Sequence, residues 1–183
     1  MNTFVFDATV GQLHQKLSSE MALINTDPTI LCLVYDFFQS QFSLKDEVCP
    51  LNPEDYLNSE ITQNNDYRRI SNVLRTQGQL HIQDFRERID SQIQRLLPEL
   101  QPPNGPATFN FLSRQCFIEG INWNLILTYF VFSAELAHQA NANRLATVHD
   151  VAQWLVQYTS EHLLPWITEN GGWVCIKNLI LLS

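Results

Sequence analysis

A chain of 183 residues with 45% apolar side chains is long enough to bury one substantial core and too apolar to remain disordered. Nineteen acidic against eleven basic side chains leave a formal charge of −8, which repels phosphate backbones and anionic headgroups and argues against nucleic acid as a partner. Cys32, Cys49, Cys116 and Cys175 form no C-x-x-C pair and Met1 to Leu13 mixes polar and apolar residues, so free thiols in a reduced, cytoplasmic setting are expected.

Residues 1–27 read as an N-terminal extension, with a weak pattern of Val10, Leu13, Leu17 and Met21 compatible with one short helix. Asp27-Pro28 then signals a helix start: aspartate caps, and proline at the first helical position loses no hydrogen bond. Ile30, Leu33, Val34, Phe37 and Phe38 follow on one face at helical spacing. From Lys45 to Asn65 the composition turns to Asp, Glu, Asn and Pro, so residues 45–65 are expected to form a loop. Tyr67, Ile70, Val73 and Leu74 predict a second helix reaching about Leu80, and Phe85, Ile89, Ile93 and Leu96 a separate third one ending at Pro98.

The stretch from Pro98 to Pro106 holds four prolines and Gly105, which forbids regular structure there. Phe109 to Phe117 predicts the next helix, broken by Gly120. Asn122-Trp123 then opens a segment that is apolar almost all round, through Leu125, Ile126, Leu127, Tyr129, Phe130, Val131, Phe132 and Leu136. Such a helix is enclosed by others. Thr147 and Asp150 have capping-box spacing, and Val148, Val151, Ala152, Leu155, Thr159 and His162 continue on one stripe. Gly171-Gly172 closes a short helix around Trp166, and Trp123 and Trp173 are expected to be packing residues.

No useful period-2 alternation occurs, so the fold class is all-α with about seven to nine helices. Catalytic residues are not apparent: there is no phosphate loop, nucleophile elbow or Cys/His constellation, and no enzyme is expected. His138, His149 and His162 lack metal-ligand spacing, so neither a metal site nor a cofactor is expected. No run of about 18 apolar residues exists to span a bilayer.

The blocks Asn122-Trp123-Asn124-Leu125 and Leu164-Pro-Trp-Ile-Thr-Glu-Asn-Gly-Gly-Trp173 resemble, in order and spacing, the first and second homology motifs of the Bcl-2 family of apoptosis regulators. The second motif matches almost letter for letter, with Trp166, Gly171, Gly172 and Trp173 in place. Leu33 to Ser40 is similar to the family's first helix, and Ile70 to His81 to its third motif, so the resemblance covers roughly residues 28–180.

The resemblance implies a helical bundle around a hydrophobic central helix over residues 28–183, with a surface groove that receives amphipathic pro-death helices. Groove recognition of that kind uses apolar anchors at i, i+3/i+4 and i+7. Carried over position by position, the groove would comprise Phe85, Ile89, Leu112, Cys116, Asn124, Leu125, Thr128 and Phe132. Asn124-Leu125 stands where the family has Gly-Arg. Burying a ligand's aspartate against Leu125 would cost on the order of 2–5 kcal/mol without another partner. In the third motif Leu74 and Gly78 match, but Gln79 replaces an aspartate and His81 a large apolar residue.

A degenerate third motif makes a poor ligand for a neighbour's groove, which favours a pro-survival regulator over the alternative, a Bax- or Bak-like pore-forming effector. Implied partners are pro-death helices and Bax/Bak-like effectors, with a homodimer as a further assembly. The implied location is the cytoplasm at the outer mitochondrial membrane, the family's C-terminal membrane anchor being absent here or removed.

Overall fold

The computed structural model describes residues 27–176 apart from 53, 55 and 57, and leaves the side chains of Asp84 and Phe85 undescribed. Of the extension read over residues 1–27, residues 1–26 lie outside the described residues. Seven α-helices are described: α1 Pro28–Ser43, α2 Ser59–Thr62, α3 Asn65–Leu96, α4 Gly105–Cys116, α5 Trp123–Ala142, α6 Val148–Tyr158 and α7 Leu164–Glu169. No strand occurs among the described residues.

α1 begins as its sequence dictates, the Asp27 carboxylate accepting from Thr29 N–H at 2.7 Å and Pro28 occupying the first turn. Ile30, Leu33, Val34, Phe37 and Phe38 are all buried. They face α5, whose Ile126, Leu127, Phe130, Val131, Leu136 and Ala137 are also sealed from solvent. α5 is packed by α3, α6 and α1, which explains why its apolar residues are not confined to one face.

Three elements differ from the sequence reading. The two helices expected over 67–96 are one 32-residue helix, α3. Between Leu80 and Phe85 stands no proline, and Gly78, the one glycine of the helix, is kept inside because α1 crosses there. A Cβ at Gly78 would lie 2.7 Å from the Phe37 ring. The 45–65 loop contains a helical turn, α2, capped by the Asn58 side chain, and three of its described residues are anchored to the bundle. Cys49, Leu51 and Tyr56 are buried there, and Gln39 Nε2 donates to the Leu51 carbonyl at 2.8 Å. Finally, the proline-rich segment after α3 includes a 3₁₀ turn, Leu97–Leu100, held by its buried leucines.

The last third follows the sequence closely. Asn122 caps α5 by accepting from Leu125 N–H at 2.9 Å, and Thr147 and Asp150 complete a capping box on α6. α6 runs into α7 through a π turn, Thr159–Leu163, immediately before Pro165. A proline lacks the N–H and crowds the carbonyl four residues back, and a widened turn relieves both. His162, placed on the buried stripe by the sequence reading, is exposed after this turn shifts the register. Gly171 and Gly172 carry φ of +90° and +74°, and Gly172 N–H donates to the Ile167 carbonyl at 2.8 Å, which ends α7.

Candidate functional site

A cavity of about 780 Å³ opens between α3, α4 and α5. α3 contributes His81, Arg88, Ile89, Gln92, Arg95 and Leu96; α4 contributes Leu112, Gln115 and Cys116; α5 contributes Asn124, Leu125, Thr128, Tyr129 and Phe132. The three walls exist because each helix presents a second, solvent-facing seam beside the stripe it buries. On α5 this seam is Asn124, Leu125, Thr128 and Phe132, at the i, i+3/i+4 spacing of one helix face. Leu112, Leu125 and Phe132 are half-buried, whereas Ile89 is buried at the base of the α3 wall.

Of the residues placed in a groove by the sequence, Ile89, Leu112, Cys116, Asn124, Leu125, Thr128 and Phe132 all meet in this one cavity. The Phe85 side chain lies outside the described residues. Sequence reasoning missed His81, Arg88, Gln92, Arg95, Leu96, Gln115 and Tyr129. The signal for the α3 members was present: 81, 88 and 95 are seven apart, and seven residues nearly complete two helical turns. It was obscured by dividing α3 into two helices.

Leu125 and Asn124 leave the α5 side of the cavity without a charge. Thr128 Oγ1 donates to the Asn124 carbonyl at 2.8 Å, so its hydroxyl serves its own helix. Tyr129 is buried beneath, its hydroxyl 2.5 Å from Ser113 Oγ of α4, and burial pushes its phenol well above the ordinary range. Cys116 is exposed at the cavity edge and contributes a small apolar surface to the lining. Along α4 and α5 the lining thus carries no charged side chain, and α3 contributes Arg88 and Arg95.

The motif tryptophans serve packing. Trp123, half-buried, meets Trp166 edge-on at 5.4 Å and Trp173 at 6.1 Å, and Trp173 in turn meets Phe130. This cluster joins the start of α5 to α7 and the turn after it. The histidines also have structural partners: His149 Nδ1 lies 3.0 Å from the Tyr35 hydroxyl, and His138 bridges Lys45 and Glu47.

A bundle wrapped on an apolar central helix, with a groove beside that helix, defines an all-helical class of interaction domain. The chain belongs to the Bcl-2 family, because residues 68–173 match the family model described as apoptosis regulator proteins, Bcl-2 family. Bcl-2-like protein 1 of Rattus norvegicus and of Homo sapiens are each 32% identical over 75 residues, which are 40% of this chain and 32% of the relative. Apoptosis regulator Bcl-2 of Canis lupus familiaris is 31% identical over a segment of the same length. These matches thus span about a third of the relatives' length. The fold is also that of Trichoplax adhaerens trBcl-2L2, solved bound to trBak BH3: the TM-score is 0.68 at 23% identity, covering 79% of this chain and 92% of that one.

Proposed function

We propose that this protein is a pro-survival regulator that sequesters amphipathic pro-death helices in the α3–α4–α5 groove. By doing so it restrains effectors that permeabilise the outer mitochondrial membrane, acting from the cytosolic face. The observation that carries the reading is the convergence of the seven carried-over positions in one open cavity. Its half-buried Leu112, Leu125 and Phe132 suit apolar anchors repeated along a ligand helix. The solved Trichoplax relative was bound to a helix of this kind, which supports the same use here.

Two features favour a regulator over a pore-forming effector. Leu74 and Gly78 of the third motif are buried in the bundle, Gly78 against the Phe37 ring, and Gln79 stands exposed where an effector's helix needs its acid. Moreover, no helix among the described residues is long and apolar enough to cross a membrane. The test is dye release from liposomes of outer-mitochondrial composition. The protein alone should leave them intact, and should suppress release driven by an activated Bak-type effector. Spontaneous release at submicromolar protein would instead establish the effector reading.

A further inference from the structure

α4 turns one face to the bundle and another to the groove, and a third remains. Its Phe109 is 2% exposed beside Tyr129 and Trp154, and its C-cap Phe117 packs on Tyr129 and Tyr158. Leu112, Gln115 and Cys116 line the cavity. Phe111, by contrast, is 62% exposed, and Ile118 is 72% exposed in the turn that carries the winding of α4 onward, its N–H donating to the Gln115 carbonyl at 3.4 Å. Positions 111, 115 and 118 have the i, i+4, i+7 spacing of one helix face, so the exposed, cavity-lining Gln115 stands between the two apolar side chains. The pair is thus the outer shoulder of the α4 wall, about 10 Å long at 1.5 Å of rise per residue.

Area decides what covers this shoulder. Phe111 and Ile118 together expose roughly 250 Å² of side chain, whereas a stable interface takes about 800 Å² from each partner. The shoulder is too small to hold a second copy of the chain by itself, but through Gln115 it is continuous with the groove. We infer that the helix seated in the groove also covers the shoulder, so that the groove takes amphipathic helices with a wide apolar face: the anchor stripe plus the neighbouring seam on the flank turned to α4. This rests on the helix-binding reading above and deepens it. A helix with a narrow stripe buries its anchors against Leu112, Leu125 and Phe132 and leaves Phe111 and Ile118 in water. Leucines in the adjoining seam would remove that surface from water as well. With no charged side chain on the α4 and α5 walls, selection on this side of the groove has to come from apolar contact.

The experiment uses three peptides built on the Bak pro-death helix with identical apolar anchors. One carries glutamines in both seams flanking the anchor stripe, and the other two carry leucines in one flank or the other. Affinities are measured by calorimetry against the wild type, Phe111→Ser/Ile118→Ser and Val48→Ser, with thermal midpoints and sedimentation alongside. Val48 is 93% exposed and outside the cavity lining, so it controls for the loss of an unrelated surface apolar residue.

One leucine peptide should bind the wild type about tenfold more tightly than the glutamine peptide, and the other within about twofold of it. The double serine variant should bind the glutamine peptide as the wild type does and lose the gain, with its midpoint unchanged because both side chains are exposed. Val48→Ser should keep the gain. A gain that survives the double substitution would overturn the inference, and so would a gain shared by both leucine peptides, which would reduce it to general hydrophobicity. Equal weakening of all three peptides would overturn it too, by showing that the substitutions disturb the groove. A wild-type dimer that the double variant dissociates, with the gain intact, would assign the shoulder to a second copy of the chain instead. Binding of the glutamine peptide with no gain from either flank would sink this inference alone. If the wild type binds none of the three peptides, the helix-binding reading fails first and this inference with it.

Discussion

Gly78 shows how a single residue sets the spacing on which the bundle depends. Alanine there would gain about 1 kcal/mol of helix propensity on an exposed surface. Here its Cβ would sit 2.7 and 2.9 Å from two carbons of the Phe37 ring. Phe37 is 1% exposed and meets Phe130 of α5 edge-on at 5.8 Å, so the ring has nowhere to retreat. Overpacking of this kind costs typically about 1–3 kcal/mol, and it should outweigh the propensity gain. Gly78→Ala is therefore expected to lower stability by about 1 kcal/mol in denaturant titration; a stabilised variant would show that α1 and α3 can separate without loss. This glycine also explains part of the sequence misreading. Read alone it suggests a helix end near residue 80, and only the aromatic ring on α1 reveals it as a close approach inside a continuous helix.

At the level of elements, two polar or aromatic connections hold α5 in place at its opposite ends. Near its start, Trp123 packs on Trp166 and Trp173, tying the helix to α7. Trp123→Ala should cost about 3 kcal/mol, the low end for a truncated aromatic because the residue is half-buried. Calorimetry should show a midpoint lower by several degrees, while peptide affinity stays within about threefold; an unchanged midpoint would remove Trp123 from the packing. Further along, Glu135 is buried on α5 and accepts from Lys45 Nζ at 2.7 and 2.8 Å, with Gln139 Nε2 at 3.2 Å. Burial pushes its pKa up most strongly, but Lys45, Gln139 and His138 together outweigh burial and hold it below the ordinary value of 4.5. A depressed folded-state pKa means stability that is present above the unfolded-state pKa and lost as pH falls through the folded-state one. The stability advantage of wild type over Glu135→Gln should thus be full near pH 6 and shrink below about pH 4. Lys45→Met, which strands the buried carboxylate, should cost about 3 kcal/mol at neutral pH. An advantage independent of pH would show that the ion pair contributes only its shape.

For the whole molecule, the sequence and the structure agree best where local chemistry is self-sufficient. Caps at Asp27 and Thr147, the opening of α5 at Asn122, the glycine pair at 171–172 and the all-round apolar α5 were legible because each follows from neighbours along the chain. The α5 and α4 sides of the groove were legible only through the family resemblance, and the α3 row was not, since it depends on the continuity of a long helix. The groove and the core also separate physically, because the groove is built from the seams that the bundle does not bury, and this separation is testable at Asn124. Its side chain is exposed, lines the cavity, and stands in the first turn of α5. A carboxylate in a first turn is favoured by the helix dipole by about 0.3–1 kcal/mol, so Asn124→Glu should leave the free protein as stable as wild type or slightly more so. The same carboxylate faces the groove, where a seated ligand would strip its water and set it against apolar anchors. Peptide binding should fall by more than about tenfold, which is about 1.4 kcal/mol. The matching readout is the thermal shift on adding peptide: at about 100 times its Kd a ligand stabilises the wild type by about 2.7 kcal/mol, and in Asn124→Glu that gain should fall by half or more, to about 1.4 kcal/mol or less, although the unliganded midpoint is intact. Retention of the full shift would place the ligand elsewhere on the surface, and a fall in the unliganded midpoint would mean that Asn124 belongs to the core after all.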